Sequence, residues 1–272
     1  MTVIQAVLLG ILQGLTEFLP VSSSGHLVLA KALLHIDTGN DISFEVFVHF
    51  GTLLSVLVVF KDDILRMSLV GLDAVIHPMN ISKMYQRSEM FRLLIYIIVG
   101  CIPAGIIGVL FNDYIEEFFS DPKLVADMLL ITGLILFITR FVKASRNGQV
   151  TLKSSIGIGV AQAVAIMPGI SRAGSTISAG LMMGVAQENA ARFSFLMAVP
   201  VIFGATLLKV RHMLTNPPSG EQMLTLGVGT VVAFISGVVA LKILLGVLRK
   251  GRFSLFSYYC FTIGILGLIF ID

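Results

Sequence analysis

The chain is short of charge, nearly free of cysteine, and carries no concentrated basic patch. Only 13% of its 272 residues are Asp, Glu, Lys or Arg, about half the share usual in a soluble domain. With 56% hydrophobic residues and a mean hydropathy of +0.94, this scarcity excludes an ordinary soluble fold and defines an integral membrane protein. The formal net charge is only +3, and Lys and Arg lie between apolar runs, which excludes a nucleic-acid partner. Cys101 and Cys260 fall within apolar stretches at no disulfide or metal-ligand spacing, so they read as small buried hydrophobes. The first residues lack a basic start, short apolar core and small-residue cleavage site, so residues 1–12 are expected to belong to the fold. No zinc pattern or nucleotide-binding loop occurs.

What is present is apolar sequence in lengths that a bilayer dictates. A hydrocarbon core needs about 20 apolar residues, and six runs qualify: roughly 44–60, 93–111, 124–142, 193–214, 223–248 and 253–271. Four shorter pieces, about 3–19, 24–36, 155–167 and 175–186, fall into two pairs. Each pair is joined by a polar break, Pro20-Val21-Ser22-Ser23-Ser24-Gly25-His26 in the first and Pro168-Gly169-Ile170-Ser171-Arg172-Ala173-Gly174-Ser175-Thr176 in the second. Pro and Gly end one helix, and Ser caps the next. Such a break is tolerated at membrane depth only where protein or water surrounds it. The expected fold is an all-α polytopic membrane protein, a single domain over residues 1–272, with six transmembrane helices plus two re-entrant helical hairpins.

Charge asymmetry orients this plan. Segments 61–92, 140–153 and 249–252 are rich in Lys and Arg and are expected in the cytoplasm, whereas 112–123 carries Asp113, Glu116, Glu117 and Asp121 against Lys123 alone. Six crossings then leave both termini outside, the first hairpin entering from outside and the second from the cytoplasm; Lys209 and Arg211, near an outer end, run against the bias. Opposite entry implies an inverted-topology repeat with halves of about 1–145 and 150–272. Ser23 follows Pro20 by three residues as Ser171 follows Pro168, and Phe50-Gly51 is echoed by Phe203-Gly204. Residues 62–76 alternate charged and apolar positions and suit an amphipathic helix on the cytoplasmic surface.

If the halves are so related, the two breaks meet and share one site. Ionisable groups at membrane depth cost at least a few kcal/mol, which points to function. Gln13 and Glu17, spaced i, i+4, share one helical face and offer hard oxygens suited to Mg²⁺ or Ca²⁺. Ser22, Ser23, Ser24 and Gly25 open a half-helix whose N–H groups and hydroxyls form an anion site, and Ser171, Gly174, Ser175 and Thr176 repeat the device. Arg172 adds a fork of donors for phosphate, or pairs with Glu17 when the site is empty. A diphosphate answers to all of these groups together. Ser23 is a nucleophile with Glu17 as its base; His26 is an acid, a base or itself the nucleophile, and water is the remaining choice. His35, His77 and His212 read as interfacial. His49, inside a spanning run, is left open, and Glu45 is a candidate supporting group.

At these residues the chain strongly resembles the bacterial undecaprenyl-diphosphate phosphatase, or bacitracin-resistance, family. The resemblance rests on Gln13, Glu17, Phe18, Leu19, Pro20, Val21, Ser22, Ser23, Gly25 and His26 in the first motif, and Pro168, Gly169, Ser171, Arg172, Gly174 and Thr176 in the second. It covers the full length. It implies hydrolysis of undecaprenyl diphosphate to undecaprenyl phosphate and phosphate, divalent-cation dependence, and recycling of the lipid carrier for cell-wall polymers on the outer face of the bacterial cytoplasmic membrane. Two residues depart from the family pattern. Ala173 stands where a serine is usual, with Ser175 two positions on, and Gln13 leaves the first motif with one carboxylate. The competing class is a polyprenyl-phosphate flippase or transporter, since broken helices in inverted repeats are common there. An intramembrane serine protease would use Ser and His but has no task for Arg172 or Glu17. The oligomeric state, a homodimer included, is left open.

Overall fold

The computed structural model describes residues 1–272 except 37–42, 112–113, 115–116, 119–120, 144, 146, 216–218, 250, 252 and 272. Asp113, Glu116, Arg146, Lys250 and Arg252, used above to orient the chain, lie outside the described residues, as do the side chains of His212 and Arg249.

Polar caps fix where the helices start. Thr2 opens α1 (Val3–Phe18) by accepting the Gln5 N–H at 3.2 Å, while the Gln5 carboxamide takes the Thr2 N–H at 2.7 Å. The chain leaves the helix at Leu19, extended as the residue before Pro20 must be. Ser22 then caps α2 (Ser23–Leu33). In the second break α8 (Leu152–Val164) starts from the Thr151 capping box but stops at Val164, short of the expected 167, and Ser171 caps α9 (Arg172–Met182). Ser171 therefore starts α9 three residues ahead of the predicted 175, and Ser22 rather than Ser23 occupies the cap position that Ser171 fills in the second half.

The remaining helices are α3 (Ser43–Val59), α4 (Lys61–Ile76), α5 (Ile81–Arg87), α6 (Glu89–Leu110), α7 (Pro122–Ile138), α10 (Gln187–Thr215), α11 (Gly220–Arg249) and α12 (Phe256–Phe270). No strand occurs among the described residues. Among the described residues, five spans are long and apolar enough to cross a membrane, Glu89–Leu110, Pro122–Phe141, Gln187–Arg211, Gly220–Leu248 and Phe253–Phe270. A sixth arises if α3 and α4 count together, although they meet at a bend of 84°. The six predicted runs coincide with α3, α6, α7, α10, α11 and α12. Val231, Ile235 and Val239 line an exposed stripe of α11, as they would in contact with lipid. Among the described residues, this is an all-helical architecture with five to six candidate spans, that of a multi-pass membrane protein.

Small residues let the shorter helices press close to the long ones. A Cβ on Gly14 of α1 would lie 2.7 Å from the Ala233 carbonyl oxygen of α11, and one on Gly159 of α8 would lie 3.0 Å from Gly100 Cα of α6. α3 also packs on α11, while α7 touches α2, α9 and α12. Phe18, Val21, Ala173, Ile177, Phe195, Leu241 and Cys260 share one buried cluster, which joins the ends of both helical hairpins. Cys260 is buried as expected; Cys101 is only partly so. The 62–76 stretch is helical, with Met67 and Ala74 buried and Asp63 held by Arg192 of α10 at 2.6 and 2.9 Å.

Candidate functional site

Both breaks hold unusual backbone in place with polar side chains. Ser22 sits at φ 67°, ψ 92°, in the left-handed region that a residue with a Cβ rarely adopts. Its carbonyl lies 2.8 Å from His26 Nδ1, and its Oγ accepts the Gly25 N–H at 3.2 Å. In the second break Gly169 has φ +92°, and a Cβ there would also stand 2.6 Å from Met128 Cβ. Thr132 of α7 donates to the Gly169 carbonyl at 2.8 Å and accepts the Ser171 N–H at 3.0 Å; Ser171 Oγ in turn accepts the Gly174 N–H at 3.0 Å.

These two tips meet at the Glu17 carboxylate, which is 7% exposed. Arg172 donates to its Oε1 at 2.6 Å, across the gap between the hairpins. Oε2 accepts from Ser23 Oγ at 2.5 Å and from Gln13 Nε2 at 2.9 Å, with His49 Nε2 at 3.3 Å. A buried carboxylate is tolerated only with a compensating charge and several donors, and both are provided. Arg172 also donates to the Ser194 carbonyl at 3.3 Å. Glu17, Ser22, Ser23, Ser24, His49, Gln162, Ser171 and Arg172 line a cavity of about 190 Å³ together with Ala104, Ala165, Ile166, Ile170, Ala198, Val201 and Ile202.

Not every sequence-predicted residue reaches this cavity. Gln13 stands behind Glu17, fully buried, with its Oε1 unpartnered among the described residues. His26 is turned towards α12, where its Nε2 lies 2.9 Å from the Tyr259 hydroxyl and the two rings stack with centroids 5.5 Å apart. Gly25 and Gly174 give their N–H groups to the caps, so those two donors are already engaged. Thr176 is bonded to Ser194 Oγ at 2.6 Å and to the Arg172 carbonyl at 2.7 Å, and it secures the first turn of α9. Ser175 is buried, with no partner for its Oγ among the described residues. Conversely, His49, left open by the sequence, stands against Glu17. Thr132, Tyr259 and Ser194 went unnoticed because each sits within an apolar run outside either motif, and Gln162 because it lies in the apolar piece six residues ahead of Pro168. Glu45 accepts from Lys31 at 2.5 Å, and its backbone carbonyl lies 2.7 Å from His49 Nδ1, so it supports His49 from one turn away.

The donors present suit a particular kind of metal binding. Among the described residues no three His, Cys, Asp or Glu side chains cluster as a protein-built metal cage. Among the described residues Glu17 alone brings a carboxylate to the cavity, so a divalent ion there would draw most of its shell from water and substrate phosphate, as Mg²⁺ does, with the Gln13 carboxamide behind that carboxylate.

A multi-pass helical membrane protein with hydroxyls, a guanidinium and a carboxylate around one open cavity is thus the class that fold and site define. The family described as "Bacitracin resistance protein BacA" matches residues 6–266. An undecaprenyl-diphosphatase of Salinibacter ruber is 44% identical over 98% of this chain and 99% of its own. Relatives of that name from Halothermothrix orenii and, as undecaprenyl-diphosphatase 1, from Bacillus licheniformis are each 42% identical, over 99% of this chain and 98% of theirs. The chain belongs to the bacitracin resistance protein BacA family.

Proposed function

We propose that the protein is an undecaprenyl-diphosphate phosphatase that releases the terminal phosphate and leaves undecaprenyl phosphate for reuse as the cell-wall lipid carrier. The observation that carries this reading is the meeting of Glu17 and Arg172, from separate hairpins, beside the Ser23 hydroxyl. Ser23 already donates to Glu17 Oε2 at 2.5 Å. Glu17 removes that proton as Ser23 Oγ attacks the terminal phosphorus; the bridging P–O bond breaks and undecaprenyl monophosphate departs. The proton passes from Glu17 to the departing phosphate, and water then hydrolyses the phosphoserine with the freed Glu17 carboxylate as base, its proton returning to Ser23 Oγ. Arg172 exchanges its carboxylate partner for phosphate oxygens and balances charge in the transition state. Ser22, Ser24 and Ser171 add hydroxyls to the same head group, and His49 lies beside the base. Ser23 is preferred to His26 as nucleophile because His26 Nε2 is already engaged with Tyr259, and to water because the Ser23 hydroxyl already stands on the base. Gln13 and Glu17 would hold a divalent cation, Mg²⁺ or Ca²⁺, which supplies neutralisation of phosphate charge when bound.

The two helical hairpins are re-entrant in this reading, and residues 1–145 and 150–272 are halves of an inverted repeat in one domain with six crossings. The site faces the outside of the bacterial cytoplasmic membrane, where the charge bias puts the first hairpin, and the activity confers bacitracin resistance. Assembly as a homodimer belongs to the same expectation. The test is metal-dependent phosphate release from undecaprenyl diphosphate in detergent, abolished in Glu17→Ala, Arg172→Ala and Ser23→Ala. Near-normal turnover in all three would overturn it. Paired broken helices also suit lipid transport; movement of a labelled lipid phosphate across proteoliposomes by Ser23→Ala would support a flippase.

A further inference from the structure

Several structural positions of the first hairpin recur in the second at a constant spacing of 149. Thr2 and Thr151 both form capping boxes, and Ser22 and Ser171 both cap the second half-helix by accepting from Gly25 and Gly174. Gly10 and Gly159 both lie against the backbone of a crossing helix, where a Cβ would stand 2.8 Å from the Gly229 oxygen and 3.0 Å from Gly100 Cα. In this register Gln162 is the counterpart of Gln13, and both side chains are buried, at 2% and 0% exposure.

Their surroundings differ in one decisive respect. Gln13 Nε2 is held by Glu17 one turn on, but the position matching Glu17 is Ile166. Gln162 lines the cavity beside Arg172, and apart from a weak contact with the Cys101 thiol, neither its nitrogen nor its oxygen has a hydrogen-bond partner among the described residues. A buried carboxamide left in that state is destabilising, which a core would resolve with Leu or Met. Its two N–H donors, buried in the wall of a cavity that already holds a guanidinium and hydroxyls, are complementary to phosphate oxygens.

We propose that Gln162 binds the diphosphate head of the substrate through its carboxamide N–H groups, as the second half's own contact beside Arg172. This rests on the diphosphatase reading for the identity of the lipid, but not for the binding of a diphosphate. Gln162→Met keeps length and removes both polar atoms. It should purify with an unchanged or raised apparent Tm, because an unpartnered polar group is lost. Its kcat/KM for phosphate release should fall about 10- to 100-fold, mainly through KM, as expected for a lost hydrogen bond to a charged ligand. Inorganic pyrophosphate should also stabilise it against heat only at roughly tenfold higher concentration than wild type. Gln162→Glu, which sets a negative charge against the phosphates, should weaken pyrophosphate further. Turnover and pyrophosphate stabilisation within twofold of wild type in Gln162→Met would overturn the inference. So would loss of folding in both variants, which would make the residue structural. A wild type that is stabilised by pyrophosphate in a Gln162-dependent manner yet releases no phosphate would instead overturn the diphosphatase reading.

Discussion

The ion pair between the hairpins gives a quantitative test through Arg172→Met, Glu17→Gln and the double variant. In the folded protein the Glu17 side chain is 5% exposed and that of Arg172 17%, so neither has bulk water to fall back on. Stripping one partner from a buried pair costs about 3–5 kcal/mol, because the other charge is stranded. Glu17 would retain Ser23, Gln13 and His49 on Oε2, which places Arg172→Met near the lower end, about 3 kcal/mol. At about 2–4 °C per kcal/mol for a chain of this size, its apparent Tm should fall by roughly 6–12 °C. Glu17→Gln should cost a similar amount by leaving the guanidinium with the Ser194 carbonyl. The double variant has no stranded charge and should lose no more than either single variant, about 3 kcal/mol instead of an additive total of about 6, a coupling of about 3 kcal/mol. Activity should not follow stability: all three proteins should release phosphate at least about 100-fold more slowly than wild type. Thermal denaturation in one detergent at one scan rate, run beside a phosphate-release assay, reads both quantities. Additive Tm losses, or turnover regained in the double variant, would refute the reasoning.

Ser23→Ala should lower phosphate release by about 100-fold or more with little change in Tm. Tyr259→Phe and His26→Asn should behave differently, losing about 1 kcal/mol of stability each and less than tenfold in turnover, since they brace Ser22 from behind. A His26→Asn loss matching that of Ser23→Ala would reassign the nucleophile. Chelation should abolish phosphate release and added Mg²⁺ or Ca²⁺ restore it. Gln13→Glu, by giving the site a second carboxylate, should lower the metal concentration for half-maximal rate roughly tenfold; an unchanged metal requirement would remove Gln13 and Glu17 as the ligands.

Much of this arrangement was legible in the letters because lipid imposes a strict grammar. Runs of about 20 apolar residues have few folds open to them, and the predicted segments correspond to α3, α6, α7, α10, α11 and α12. The breaks were equally plain, as Pro20, Pro168 and the serines after them mark where one helix stops and another is capped. Side-chain direction was not legible. His26 lies within the first motif yet turns to Tyr259, 233 positions away, a contact that no local spacing encodes. The repeat register drawn from the prolines, pairing Ser23 with Ser171, is one residue from that drawn from the caps, and only the latter aligns Gln13 with Gln162. His49 and Thr132 reach the site through packing of α3 and α7 against the hairpins, where position in an apolar run says nothing about which face meets the cavity.

The central claim is that both halves hold one head group, and a structure of the protein with a non-hydrolysable bisphosphonate analogue of the lipid diphosphate tests it most directly. The account predicts the two phosphorus groups in the cavity between Glu17 and Arg172, with Ser23 facing the terminal one and the Glu17–Arg172 bond opened. Phosphonates resting against one hairpin alone, with that bond intact, would contradict it.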